Sequence, residues 1–238
     1  MTITFLTFGG PTERYHNNVD RICKEAGAFN IFNNIVGLKD DYLKNDANFW
    51  DMHHKFIENN SRGYGNWLWK PYIVKKQLEL MNDNDILVYA DAGCELNVNG
   101  LHRLIEYFNI VNSHKYGLLS FQMKHLLEKA WTKMDAMAYL NASDLANTGQ
   151  LMATSFVIRK CAHTVKLVNL WYSISCNYHL IDDTPSQLPN DKSFREHRHD
   201  QSIWSILRKQ LGATIIADET WFSDWSDGAS FPILAKRI

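Results

Sequence analysis

The stretch Asp85-Ile86-Leu87-Val88-Tyr89-Ala90-Asp91-Ala92-Gly93-Cys94 decides the fold. Five residues suited to a buried strand, Ile86 to Ala90, run straight into an acid, a small residue and a glycine. A carboxylate at the end of a buried strand is costly unless it is paired, hydrogen-bonded or metal-bound. In open α/β sheets, ligands bind beyond the carboxyl ends of the strands. The pattern predicts a chain organised to present Asp91 to a charged ligand at one edge of such a sheet.

Working outward, Ile3 to Phe8 is β-branched and aromatic and ends at Gly9-Gly10-Pro11. It reads as a first strand closed by a glycine turn. Gly9 at that strand end would let a ligand approach the backbone closely. The turn has neither dinucleotide-binding spacing nor a Gly-Lys-Ser/Thr ending. Tyr15 to Ala26 predicts a helix with Val19, Ile22 and Ala26 on one face, and Phe29 to Val36 a second strand. Strand, helix and strand with short links begin a parallel sheet. Asp40 to Asn60 reads as one further helix. The adjacent pair His53-His54 is not spaced to share a helix face, so it reads as packing or surface residues.

Arg62-Gly63-Tyr64-Gly65-Asn66-Trp67-Leu68-Trp69-Lys70-Pro71 is the second informative stretch. Two glycines make it pliable, and Pro71 suits the first position of a helix running to Asn82. Lys70 then stands where free N–H groups already favour an anion. Beside Trp67 and Trp69 it suits a phosphate with a flat ring nearby; a buried aromatic loop with a solvated lysine is the plain alternative. Farther along, the sequence predicts a helix over Leu101 to Asn112 and a strand over Tyr116 to Phe121. It then predicts a helix over Leu126 to Leu140, a strand over Leu151 to Ile158 and a long helix over Lys160 to Tyr178. Ile181 to Phe194 reads as an exposed loop, long enough to suggest a binding loop or lid. The pattern Ile203, Trp204, Ile206, Leu207, Leu211, Gly212 is a helix with a glycine stop, and Asp200 falls at its N-cap. Capping is the commoner role for an acid there. Yet Asp91, Lys70 and Asp200 would all line one sheet edge.

Composition narrows the function. The chain has 238 residues, 45% apolar and 21% charged, with a net charge of -1. That balance is ordinary for one globular domain and implies no broad basic surface for nucleic acid. The four cysteines are scattered and form neither a disulfide framework nor a zinc pattern. His197-Arg198-His199 has no third ligand close in sequence, so zinc is not implied. No Gly-x-Ser-x-Gly is present. The N-terminus does not resemble a signal peptide, and no apolar run reaches membrane-spanning length. The expectation is a cytoplasmic protein able to work at a membrane surface.

Taken together, Arg62 to Pro71, Asp85 to Cys94 and His197-Arg198-His199-Asp200-Gln201-Ser202 resemble the signature of a little-characterised group of polysaccharide-locus glycosyltransferases. That group is similar to a branch of the GT-A-fold nucleotide-sugar transferases. The resemblance implies an α/β chain forming one GT-A-like, Rossmann-like domain over residues 1–238, with a mixed, mainly parallel sheet flanked by helices. Its donor-binding half would be about residues 1–100 and its acceptor-side half about 101–238. It implies transfer of a hexose from a nucleotide-sugar donor, UDP-linked, to a saccharide or glycolipid acceptor. Gly9, Trp69, Lys70, Asp91, Ala92, Gly93, His199 and Gln201 would bind substrate, and Asp200 would be the catalytic base. Asp91 matches the first acid of the Asp-x-Asp element that holds a divalent metal (Mn or Mg), whereas the third position is Gly93. Glu95, Asp224 and Asp227 are substitute oxygen ligands; Lys70, Arg195 and Arg198 are substitute charges. The alternatives are a sugar-nucleotide nucleotidyltransferase and a non-catalytic carbohydrate-binding protein on a transferase fold.

Overall fold

Strands whose successive side chains are buried on opposite faces form the centre of the molecule. The computed structural model describes residues 1–238. β1 (Ile3–Gly9), α1 (Glu13–Ala28) and β2 (Asn34–Lys39) make the first parallel unit. Then follow α2 (Asp40–Lys44), α3 (Ala47–Asn59), the single turn α4 (Gly63–Asn66), α5 (Trp69–Leu80) and β3 (Ile86–Ala90). The middle of the chain holds β4 (Glu95–Leu96), α6 (Leu101–Ser113), β5 (Leu118–Leu127), α7 (Glu128–Trp131) and α8 (Met134–Tyr139). The remainder is β6 (Gly149–Leu151), β7 (Ser155–Arg159), α9 (Ala162–Ser175), α10 (His199–Leu211), β8 (Thr214–Ala217) and β9 (Ile233–Leu234).

The main sheet has the order β2-β1-β3-β7-β5-β6, with β8 also paired to β5, and β4 and β9 form a separate pair. β1, β2, β3, β5 and β8 point one way, while β6 and β7 run against them. The sheet is therefore mixed and mostly parallel within a single α/β domain. Leu6, Leu87, Tyr89 and Phe156 pack on one face with Trp171 and Trp204 from α9 and α10. Phe5, Ile86, Val88 and Val157 pack on the other with Val19, Ile22 and Phe108 from α1 and α6. This alternation is the period-2 signature of strands covered on both sides. No helix is long and apolar enough to cross a membrane.

Several boundaries differ from the expectation, each for a local reason. Phe32 packs on Phe5, and Phe29 on Phe32, ahead of β2, which begins only at Asn34. The predicted helix from Asp40 breaks where Asp46 caps α3 by accepting from Phe49 N. α5 begins at Trp69, so Pro71 is its third residue and Lys70 its second. α10 begins at His199 after Arg198, which places Asp200 inside the first turn and not at the N-cap. The loop expected as a lid is tied down: Asp135 accepts from Gln187 N and Leu188 N, and Asn190 accepts from Met134 N.

The expected strand Leu151 to Ile158 is interrupted at Met152–Thr154. Every carbonyl across the break has a donor. Arg208 donates to Leu151 O and Met152 O, Lys70 to Ala153 O, and Asp91 N to Thr154 O. The break satisfies the demand that buried backbone groups be paired, and it does so with groups from the sheet edge itself.

Gly9 serves this packing. A Cβ at Gly9 would lie 2.6 Å from Tyr15 O and 2.7 Å from Val19 Cγ2, so α1 can cross the end of β1 only over a glycine. Gly9→Ala should cost about 1–3 kcal/mol through overpacking, read as a lower urea midpoint at unchanged m-value. A midpoint equal to that of the wild type would show that α1 shifts freely.

Candidate active site

The three edge residues singled out in the sequence converge. β3 delivers Asp91 just past its end, α5 delivers Lys70 and α10 delivers Asp200. The Lys70 ammonium lies 2.9 Å from Asp91 Oδ1 and 3.6 Å from Asp200 Oδ2. It also donates to Ala153 O at 3.2 Å. Tyr89, one turn of the pleat before Asp91, donates its hydroxyl to the same Asp91 Oδ1 at 2.6 Å. Lys70 and Asp200 are almost wholly buried, while the Asp91 side chain keeps 30% of its surface open.

Electrostatics distinguishes the two acids. At 3.6 Å the Asp200–Lys70 contact is too long for a hydrogen bond, and Asp200 Oδ2 has no partner. Burial pushes the Asp200 carboxyl up to about 7; Lys70 pulls it down, and the charge of Asp91 adds to the rise. For Lys70, burial opposes the charge, but Asp200 and Asp91 outweigh it and hold its pKa above the ordinary lysine value. The trio thus carries one positive and two acidic groups, with one carboxylate oxygen unmatched.

These groups open into a cavity of about 950 Å³, at the upper end of the size usual for small-molecule sites. One wall is aromatic, with Trp50, Tyr64, Trp67 and Trp69. It is shaped by an unusual backbone: Gly63, Tyr64, Gly65, Asn66 and Trp67 all have positive φ, from 50° to 83°. Non-glycine residues pay about 1–2 kcal/mol each for that conformation, so such a run persists only where contacts hold it. Here Trp69 Nε1 donates to Gly63 O, Gly65 N to Asn60 O, and the Trp69 ring lies 4.1 Å from that of Phe8. His199, also at positive φ, faces Trp67 with ring centroids 5.1 Å apart.

Most of the expected binding residues line this cavity: Trp69, Lys70, Asp91, Ala92, Gly93, His199, Asp200 and Gln201. Gly9 does not, and Gly10 takes its place. Gln201 is engaged internally, accepting from Ala153 N and donating to Gln150 Oε1, so it positions the broken strand. His199 Nε2 is 2.9 Å from Asp183 Oδ1. Arg195 lies outside the cavity, over the Trp131 ring. His53 is a packing residue between the Tyr172 and Tyr178 hydroxyls.

The resemblance implied a divalent cation at Asp91, and the oxygens present do not fit one. No group of three or more His, Cys, Asp or Glu residues gathers anywhere that could hold a metal. Asp91 Oδ1 faces the Lys70 ammonium. Ala92 O and Cys94 O both accept from Arg21, Gly93 O accepts from Ile238 N, and Asp91 O accepts from Cys94 N. Glu95 is paired with Lys236, Asp224 caps its own turn, and neither Asp227 nor Asp224 reaches the cavity.

Three features of the cavity were not foreseen: Arg14, the Ala153-Thr154 break, and the tail residues Ala235, Arg237 and Ile238. Arg14 had a weak signal, being five residues beyond the strand-ending Gly9. Arg237 had none, because the pairing of β9 with β4 carries it to the site.

No protein-family model matches the chain, and no curated protein does. Its fold is similar to that of a glycosyltransferase involved in the glycosylation of the major capsid of PBCV-1, with TM-score 0.54 and 11% identity, over 98% of this chain and 92% of that one. The galactosyltransferase LgtC, in complex with donor and acceptor sugar analogues, superposes with TM-score 0.52 and 13% identity, over 97% and 84% of the two chains. Apo mouse xyloside xylosyltransferase 1 does so with TM-score 0.51 and 10% identity, over 95% and 89%. The fold is accordingly GT-A-like.

The raised Asp200 pKa has a consequence for stability. Its folded value, about 7, lies above the ordinary 3.8, so the folded state loses stability as pH rises between those values. Asp200→Asn removes the unmatched charge and leaves Lys70 paired with Asp91. Its melting temperature should exceed that of the wild type at pH 8 and converge with it near pH 4. A variant less stable at pH 8 would show that Asp200 is needed as a charge partner.

Proposed function

We propose that this chain is a glycosyltransferase that moves a hexose from a nucleotide-sugar donor, UDP-linked, to a hydroxyl of a saccharide or glycolipid acceptor. The observation that carries the reading is Asp200: a buried carboxylate on the cavity wall, not used as a cap, with an oxygen free of any partner. The likeness in fold to a galactosyltransferase and a xylosyltransferase supports it.

In this reading Asp200 takes the proton from the acceptor hydroxyl. The acceptor oxygen then bonds to the donor's anomeric carbon while the bond from that carbon to the diphosphate oxygen breaks, and the diphosphate leaves with the electron pair. A base with a pKa near the working pH combines the ionised form with adequate proton affinity. Lys70 fixes the positions of Asp91 and Asp200 and tempers the charge between them. Asp91, partly open, offers an acceptor to sugar hydroxyls, and the aromatic wall offers faces on which a ring can stack.

The test is a donor-hydrolysis and transfer screen across a panel of nucleotide sugars. Turnover of one donor class is the expected result; no turnover, with sugar binding alone, would favour a carbohydrate-binding protein. Asp200→Asn should lower kcat by at least about 100-fold while nucleotide affinity changes little. Near-normal turnover would remove Asp200 from the mechanism. For the wild type, kcat/KM should rise with pH and level off above about 7, because the ionised carboxylate is the active form. A profile that falls across that range would assign the titration to another group.

A further inference from the structure

The backbone oxygens from Asp91 to Cys94 are engaged and Asp91 Oδ1 faces Lys70, yet a nucleotide-sugar donor carries a diphosphate whose charge must be met. Four arginines line the cavity: Arg62, and three from distant parts of the chain, Arg14 in the first turn of α1, Arg198 just before α10 and Arg237 after β9. Arg14 and Arg237 are exposed and take part in no ion pair, whereas Arg62 beside them is tied to Asp183 and Glu196. Arg198 lies over the Trp131 ring at 4.2 Å, comes no nearer than 3.8 Å to Glu196, and its Nε has no hydrogen-bond partner. Burial lowers the Arg198 pKa, Glu196 opposes that, and the charges of Arg237 and Arg62 lower it further. Arg14 and Arg237 have no acid partner and Arg198 has only the long contact to Glu196; under-matched like charges repel one another, and a bound anion relieves them.

The tail is fastened so as to hold Arg237 in place. Ile238 N donates to Gly93 O at 3.0 Å, Asn18 Nδ2 donates to Ile238 O at 2.6 Å, and Lys236 pairs with Glu95 at 2.9 Å. A Cβ on Gly93 would meet the Arg237 Cα at 3.5 Å. Where the second acid of an Asp-x-Asp element would stand, this chain has no carboxylate, and an arginine borders the position.

We propose that the donor's diphosphate is held without a divalent cation, by Arg14, Arg198 and Arg237, with Lys70 as the fixed counter-ion of Asp91 and Asp200. This rests on the nucleotide-sugar reading above and deepens it. A guanidinium fork donates two parallel hydrogen bonds to a phosphate, giving both charge and direction. Lys70 is 2% exposed and occupied by protein oxygens, so its charge answers the two acids and not the ligand.

Calorimetry of the full chain with UDP, GDP and inorganic pyrophosphate, in EDTA and in manganese, tests this. At least one probe should bind with a Kd that differs by less than about 2-fold between the two conditions. The Arg14→Ala and Arg237→Ala variants, both at exposed positions, should weaken that binding about 10-fold each, as expected for a charge-assisted contact. Circular dichroism would verify that each variant is folded. Binding seen only with manganese would overturn the inference and leave the transferase reading standing. Metal-independent binding that ignores both variants would overturn the arginine assignment. No binding of any probe in either condition would remove the nucleotide-sugar reading, and this inference with it.

Discussion

One buried ammonium between two carboxylates is the constraint around which the sheet edge is arranged. Lys70 comes from the start of a helix, Asp91 from the end of a strand and Asp200 from a helix far along the chain, so the three meet only when the sheet is complete. Removing Lys70 would leave two carboxylates uncompensated in a poorly solvated place, whereas removing Asp200 leaves Lys70 paired with Asp91. The arrangement also leaves one Asp200 oxygen without a partner, because Lys70 sits closer to Asp91. That imbalance separates the two acids chemically: one is held in hydrogen bonds, the other is kept ready to accept a proton.

The interruption of the strand between β6 and β7 follows from the same constraint. A continuous strand would direct its carbonyls along the ladder. The break turns Ala153 O to Lys70 and Thr154 O to Asp91, while Gln201 fixes Ala153 N from the next helix. The backbone of the sheet and the charges of the site are therefore one hydrogen-bonded unit. Ala153 and Thr154 line the cavity as a result, small enough to leave room beside Asp200.

Local patterns carried much of this to the reader of the sequence. β1 and β3 stood out as apolar runs ending in small residues, and α10 through its spacing and glycine stop. Asp91, Lys70 and Asp200 could be placed on one edge because strand ends and helix starts meet there in α/β sheets. What local pattern could not reveal depends on partners far away in the chain. Leu151 to Ile158 reads as a strand until Lys70, Gln201 and Arg208 are seen to pull its centre aside. Asp200 reads as a cap until α10 is seen to begin two residues earlier, at His199. Gly9 reads as room for a ligand until α1 is found pressed against it. Arg237 belongs to the site only because a two-residue strand returns the tail to Gly93.

The run from Gly63 to Trp67 has a consequence for chirality. Five successive residues there have φ of the sign opposite to that of the usual helix, and three of them, Tyr64, Asn66 and Trp67, are not glycine. At these positions the backbone has the shape that a D-amino acid prefers. The corner that presents two aromatic rings to the cavity is thus a small piece of opposite-handed protein, held by right-handed neighbours. A chemically synthesised chain with D-residues there would relax the backbone but turn the rings away from the cavity. The backbone strain and the aromatic wall are two sides of a single choice of hand.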